Sequence, residues 1–184
     1  MRADSPLTRR SVWPTRALLG CAVFAAIGAL LLVALTPLTT ILALSAPVVY
    51  PLAAAVPVCC YLTARRWTAR PGSASIAAVL MGLIALPFTS LGALVIVALA
   101  VPAVVVDLIA GSRPSRLRWY VAAAVAGLAA GILSLTVFEN DLLQPWIIAA
   151  VLVVRIASFV GAAAVADVIA RGLSRAGILG GRRA

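Results

Sequence analysis

The chain has 184 residues, 64% of them apolar, with a mean hydropathy of +1.15. Soluble domains run at roughly 45–50% apolar, and a soluble fold of this length needs a polar face on nearly every element. The composition excludes that, so lipid must serve as much of the solvent. The formal net charge of +10 comes from fifteen arginines, no lysine and five acids. Those arginines stand in short clusters between apolar stretches, a topological pattern rather than the basic face of a nucleic-acid binder.

Residues 1–16 form a polar segment carrying Arg2, Arg9, Arg10 and Arg16. A first span is predicted from Ala17 to Leu35, and the cluster Thr36-Pro37-Leu38-Thr39-Thr40 predicts a turn. A second span, Ile41 to Thr63, contains Pro47, Pro51 and Pro57. Each proline removes a backbone donor, so this span is predicted to be kinked or partly unwound. Irregular backbone at membrane depth is tolerated where it lines a cavity or lies within protein. Arg65, Arg66 and Arg70 close the span, and Pro71-Gly72-Ser73 makes a turn.

Residues 74–87 are short for a hydrocarbon layer of about 30 Å but are read as a third span, ending at Pro87-Phe88-Thr89-Ser90. The fourth runs from Leu91 to Ala110 with Pro102 inside, followed by Arg113, Arg116 and Arg118. The fifth covers Trp119 to Phe138 and ends at the acidic turn Glu139-Asn140-Asp141. The sixth covers Trp146 to Ala170, and Arg171, Arg175, Arg182 and Arg183 finish the chain. The apolar segments recur to the C-terminus, so a signal peptide does not account for them.

Six spans place every arginine cluster on one side, and five or seven would break that sorting. The positive-inside rule makes that side cytoplasmic. The expectation is an all-α, polytopic membrane protein with six transmembrane helices and both termini in the cytoplasm. Residues 17–178 form one membrane domain between the N-terminal segment 1–16 and a basic tail, 179–184.

Arg155 alone among the arginines falls inside a span, roughly 13 Å along the helix from Trp146. An arginine at that depth usually faces the bundle interior or a wet cavity. It is read either as an anchor for a ligand's anion or dipole, or as a structural bridge to a carboxylate or carbonyls. Ser158, one turn on, shares its face. Asp107 and Asp167 lie near the cytoplasmic ends of spans four and six, where cytoplasmic arginines would pair with them. Glu139 and Asp141 read as solvated turn residues or, where one faces a pocket mouth, as a contact for a cationic ligand.

Tyr50, Phe88, Thr89, Ser90, Phe138 and Trp146 collect on the outer side, as an interfacial belt or as a pocket for a small heterocycle. Tyr50, between Pro47 and Pro51, is the aromatic most readily assigned to a pocket. Small residues recur at four-residue spacing, Ala22 with Ala26, Ala25 with Ala29 and Ala162 with Ala166, a spacing that lets helices approach closely. With no histidine, no P-loop and no paired intramembrane carboxylates, the sequence offers no acid–base relay, no ATP site and no metal site. Cys21, Cys59 and Cys60 lie in apolar stretches without metal spacing and read as buried small side chains.

Three stretches carry a family resemblance: Ala46-Pro47-Val48-Val49-Tyr50-Pro51, Arg70-Pro71-Gly72-Ser73-Ala74, and Leu152-Val153-Val154-Arg155-Ile156-Ala157-Ser158 continuing to Leu173 and Gly177. In their order and spacing the chain resembles the substrate-binding (S) component of an energy-coupling-factor (ECF) vitamin transporter, closest to the thiamine/hydroxymethylpyrimidine (YkoE-like) group. That resemblance implies a bacterial cell-membrane subunit binding a vitamin or precursor in an outward-opening pocket capped by the loop after span one. It further implies toppling on a transmembrane coupling protein (the T component) driven by two ABC ATPases, with no catalysis and no cofactor of its own. Substrate contacts are expected from Tyr50, Ser90, Trp146, Arg155 and Ser158, and docking from Ala22, Ala25, Ala26 and Ala29. Thiamine-type members carry acids beside the Tyr-Pro stretch and after Arg-Pro-Gly. Here Pro51 follows Tyr50 directly and residues 75–87 hold no acid. A neutral or weakly anionic ligand near Arg155 is therefore as admissible as thiamine. The competing reading is a membrane scaffold that packs other helices without binding a small molecule.

Overall fold

The computed structural model describes residues 13, 15–46, 48–89, 92–112, 114–135 and 144–177. All regular structure among them is helical: α1 (Thr15–Ser45), α2 (Tyr50–Ala54), α3 (Val58–Thr68), α4 (Ser73–Ala85), α5 (Leu94–Ala110), α6 (Arg116–Leu135) and α7 (Pro145–Arg175), with a 3₁₀ turn at Leu86–Phe88. Three helices, α1, α6 and α7, are long and apolar enough to cross a membrane, while Ser73–Phe88 and Leu94–Ala110 are shorter apolar helices.

Helix α1 corrects the expected turn at 36–40. It runs unbroken through Pro37 for 31 residues, about 46 Å at the helical rise. The threonines read as turn formers instead serve their own helix. Thr36 Oγ1 donates to the Leu32 carbonyl at 2.8 Å, and Thr39 and Thr40 each donate to the Thr36 carbonyl at 2.9 Å. Hydroxyls that return to the preceding turn need no water, so these threonines are satisfied within the helix in an apolar medium.

The expected second span, 41–63, does not form with those bounds, since Ile41–Ser45 belong to α1, but the helical break expected near its prolines is present. Helices α2 and α3 are separated by residues 55–57, where Pro57 precedes α3. Backbone N–H groups there reach carbonyls three residues back: Ala55 to Leu52 at 3.3 Å, Val56 to Ala53 at 3.2 Å and Cys59 to Val56 at 3.2 Å. The break is thus satisfied internally rather than by solvent.

Helix α3 is the hub, touching α1, α4, α5 and α7, while α4, α5, α6 and α7 pack in sequence around it. The core is built from small side chains. On α1 the buried residues are Ala17, Cys21, Ala25, Gly28 and Ala29, an i, i+4, i+8 stripe; on α6 they are largely alanine and glycine. Small faces allow the backbone proximity on which association in lipid depends, since apolar burial drives little there. Large apolar side chains, among them Leu19, Leu30, Leu108 and Val153, point outward, giving an exterior suited to lipid.

Contacts gather the arginine-bearing ends at one end of the bundle. Arg65 at the end of α3 lies 2.7 Å from Asp107 near the end of α5, through Nε and Oδ1, and its Nη2 donates to the Gly111 carbonyl. Asp107 Oδ2 accepts from the amide and hydroxyl of Ser75 at the start of α4, at 2.8 and 2.7 Å. Arg66 pairs with Asp167 on α7, which Arg171 also approaches at 3.4 Å. Arg118 at the start of α6 donates to the Ile109 carbonyl. The chain therefore reverses direction at each step: α1 leads away from this end, α2–α3 returns, and α4 to α7 alternate. Both intrahelical acids are held by arginines, as their positions near the cluster side suggested.

Candidate ligand-binding site

The opposite half of the bundle holds a cavity of about 310 Å³, at the lower edge of the roughly 300–1,000 Å³ typical of small-molecule pockets. Its walls follow from the irregular elements. The C-terminal half of α1 contributes Leu32 to Leu44, the α2–α3 break contributes Tyr50, Pro57 and Tyr61, and α5 contributes Val95, Leu99 and Pro102. Helix α7 closes the side with Arg155 and Phe159, and Ala130 of α6 fills the remaining gap. The stretch 36–40, expected to cap the pocket as a loop, is instead one of its helical walls.

Arg155 is 9% exposed, and its guanidinium carbon lies 5.8 Å from the ring centroids of both Tyr50 and Phe159. Those faces attract a cation within about 6 Å but accept no conventional hydrogen bond. The Nε and Nη1 atoms of Arg155 are buried and have no hydrogen-bond partner among the described residues. Two cavity hydroxyls share that state, those of the fully buried Tyr61 and of Thr89. Buried donors left unmade cost about 1–3 kcal/mol each, more when charged, so a group that accepts from them removes that penalty on entry.

Arg65 provides the contrast inside the same fold. It is 2% exposed, yet a carboxylate stands against it as an ion pair and a carbonyl takes its Nη2. Among the described residues, one deep arginine meets an acid and the other meets only two aromatic faces.

Helix α6 sets the position of Arg155. A Cβ at Gly127 would lie 3.0 Å from Ile156 Cα and Phe159 Cβ, and one at Gly131 would lie 2.7 Å from Leu152 Cδ2. These two glycines, four residues apart, let α7 approach closely enough to bring Arg155 to the cavity.

Of the residues expected to contact a substrate, Tyr50 and Arg155 are brought together. Ser158 is buried, but its hydroxyl donates to the Val154 carbonyl at 2.6 Å and it does not line the cavity. Trp146 is 63% exposed, and its indole N–H donates to Gln144 Oε1 at 2.7 Å, away from the cavity. Ser90, Phe138, Glu139 and Asp141 lie outside the described residues. The expected docking alanines divide: Ala25 and Ala29 are buried in the core, and Ala22 and Ala26 are exposed. A partner on α1 could therefore reach only the second pair, because α1 presents Ala25 and Ala29 to its own bundle.

Tyr61 and the Gly127/Gly131 pair were not singled out by sequence reading. The glycine spacing is itself a close-packing signal. Tyr61 had one as well: it follows Pro57 by one helical turn, on the irregular segment that predicted a cavity wall. Among the described residues no His, Cys, Asp and Glu cluster could hold a metal ion.

Fold and site together define an all-helical bundle with membrane-length apolar helices and a cavity walled by α1, α2, α3, α5 and α7. No protein-family model, no curated protein and no solved structure matches the chain.

Proposed function

We propose that the chain is the substrate-binding membrane subunit of an ATPase-driven importer of the energy-coupling-factor type. It captures a small vitamin or vitamin precursor from outside a bacterial cell and delivers it through a coupling protein and two ATPases. The observation that carries this reading is the guanidinium of Arg155, two of whose nitrogens have no acceptor among the described residues, in the wall of a largely apolar cavity. A deep charge without a partner is costly to keep, and a ligand is the economical reason to keep it. In this reading the arginine-bearing ends face the cytoplasm, in keeping with the positive-inside rule, and the cavity lies in the outer half.

The three stretches that resemble S components support the same reading, and two of them bear on the cavity, through Tyr50 and Arg155. In this account the chain itself catalyses nothing, ATP hydrolysis belongs to the partner subunits, and the exposed Ala22 and Ala26 form the docking surface on α1. The test is ligand-dependent thermal stabilisation of the purified chain in lipid nanodiscs, with affinity purification of the chain from its native membrane. Stabilisation by a vitamin-sized molecule and recovery of a coupling protein with ATPases are expected. Recovery of partners with no ligand response identifies a scaffold instead and overturns the reading.

A further inference from the structure

We propose that the ligand is a singly charged amphipathic anion, a small carboxylate, whose head seats on Arg155 and whose body lies against the apolar wall of α1 and α5. This inference rests on the ligand-binding reading above and adds the chemical class of the ligand.

Three observations converge on it. Arg155 is donor-only, as every guanidinium is, and two of its nitrogens are buried without an acceptor. A hydroxyl ligand would supply one weak acceptor, whereas a carboxylate supplies two charged ones in the planar geometry the guanidinium matches. Next, no carboxylate lines the cavity among the described residues; Asp107 and Asp167 are held by arginines at the other end. A cationic ligand would thus meet a like charge with no carboxylate among the described lining residues to offset it, a penalty on the order of a hundredfold in affinity at about 5 Å. Finally, the aromatic faces that would receive a cationic ring, those of Tyr50 and Phe159, are already turned to the Arg155 guanidinium.

The hydroxyls agree with this assignment. Thr36, Thr39 and Thr40 donate to carbonyls of α1, whereas those of Tyr61 and Thr89, two residues of the cavity wall, have no hydrogen-bond partner among the described residues. The rest of the wall, including Leu32, Val95 and Leu99, is apolar and suits an uncharged body.

The experiment compares matched pairs on the full chain in nanodiscs of neutral lipid: nicotinate with nicotinamide, lipoate with lipoamide, pantothenate with panthenol, and thiamine as the cation. Thermal shift and equilibrium dialysis read binding. At least one carboxylate is expected to bind tenfold or more tightly than its neutral partner, with thiamine inactive, and Arg155→Gln is expected to erase the preference. Arg155→Lys, which keeps the charge but not the fork, is expected to retain part of it.

Equal binding of a carboxylate and its neutral partner, or binding of thiamine, overturns the anion assignment while ligand binding itself stands. If none of the seven compounds binds, the ligand-binding reading falls and this inference falls with it. Repeating the measurement in nanodiscs containing anionic phospholipid separates the sources of a negative head. A stability gain from that lipid alone, with no further gain from any carboxylate, assigns the cavity to a lipid headgroup and overturns the soluble-ligand claim.

Discussion

The guanidinium of Arg155 on α7 stands 5.8 Å from the ring of Tyr50 at the start of α2, joining two positions 105 residues apart in the wall of one cavity. Neither side chain would be there without an irregularity elsewhere. Tyr50 is placed by the break in the proline-bearing segment, and Arg155 by the glycines of α6.

Because Arg155 is buried with unmade hydrogen bonds, its replacement separates binding from folding. Arg155→Met is expected to leave the ligand-free chain at least as stable as the parent, with a gain of about 1–4 kcal/mol, since well-packed apolar groups often improve on a buried charge. Ligand binding is expected to fall a hundredfold or more. Thermal denaturation in nanodiscs without ligand checks the first effect; loss of folded protein would mark Arg155 as a structural bridge.

Arg65 predicts the opposite. Asp107→Ala leaves its guanidinium buried without a carboxylate and removes the acceptor of Ser75, so a destabilisation of about 3–5 kcal/mol is expected. The double variant Arg65→Met/Asp107→Leu should recover most of it. A double-mutant cycle on denaturation midpoints measures the coupling, and additive effects would refute the pairing.

The α6–α7 contact depends on absent side chains. Gly127→Ala places a methyl group 3.0 Å from the α7 backbone and is expected to cost about 1–3 kcal/mol while weakening ligand binding through displacement of Arg155. Gly161→Ala, on the same α7, meets nothing within 4 Å and should be neutral or gain up to about 1 kcal/mol in helix propensity. Equal effects of the two substitutions on stability would contradict the packing described.

The two faces of α1 give a paired test of docking. Ala22→Trp alters an exposed position and is expected to preserve folding and ligand binding while blocking recovery of partner proteins. Ala25→Trp forces an indole into a fully buried site and is expected to prevent folding. Unchanged partner recovery with Ala22→Trp would remove α1 from the docking surface.

The sequence told most where one physical signal had one meaning. Helical content followed from the hydropathy, and the gathering of arginine-bearing ends followed from charge sorting. Arg155 stood out because no topological role explained it. It told least where the medium changes what a residue does. Thr36-Pro37-Leu38-Thr39-Thr40 carries the composition of a turn in water, yet here its hydroxyls bond to the preceding turn and the helix continues. The spacing of Ala22, Ala25, Ala26 and Ala29 could not say which pair faces the bundle, because alanine suits either side. Thr89 and Tyr61 matter for having no hydrogen-bond partner among the described residues, a property of the assembled walls rather than of any local pattern.

The most direct measurement of the central claim is the identity of what the protein carries. Chain purified from its native membrane, with and without Arg155→Gln, would be denatured and the released small molecules determined by mass spectrometry. The account predicts one water-soluble carboxylate, near one per chain, from the parent and none from the variant. The same molecules released from both proteins, or no small molecule from either, would contradict it.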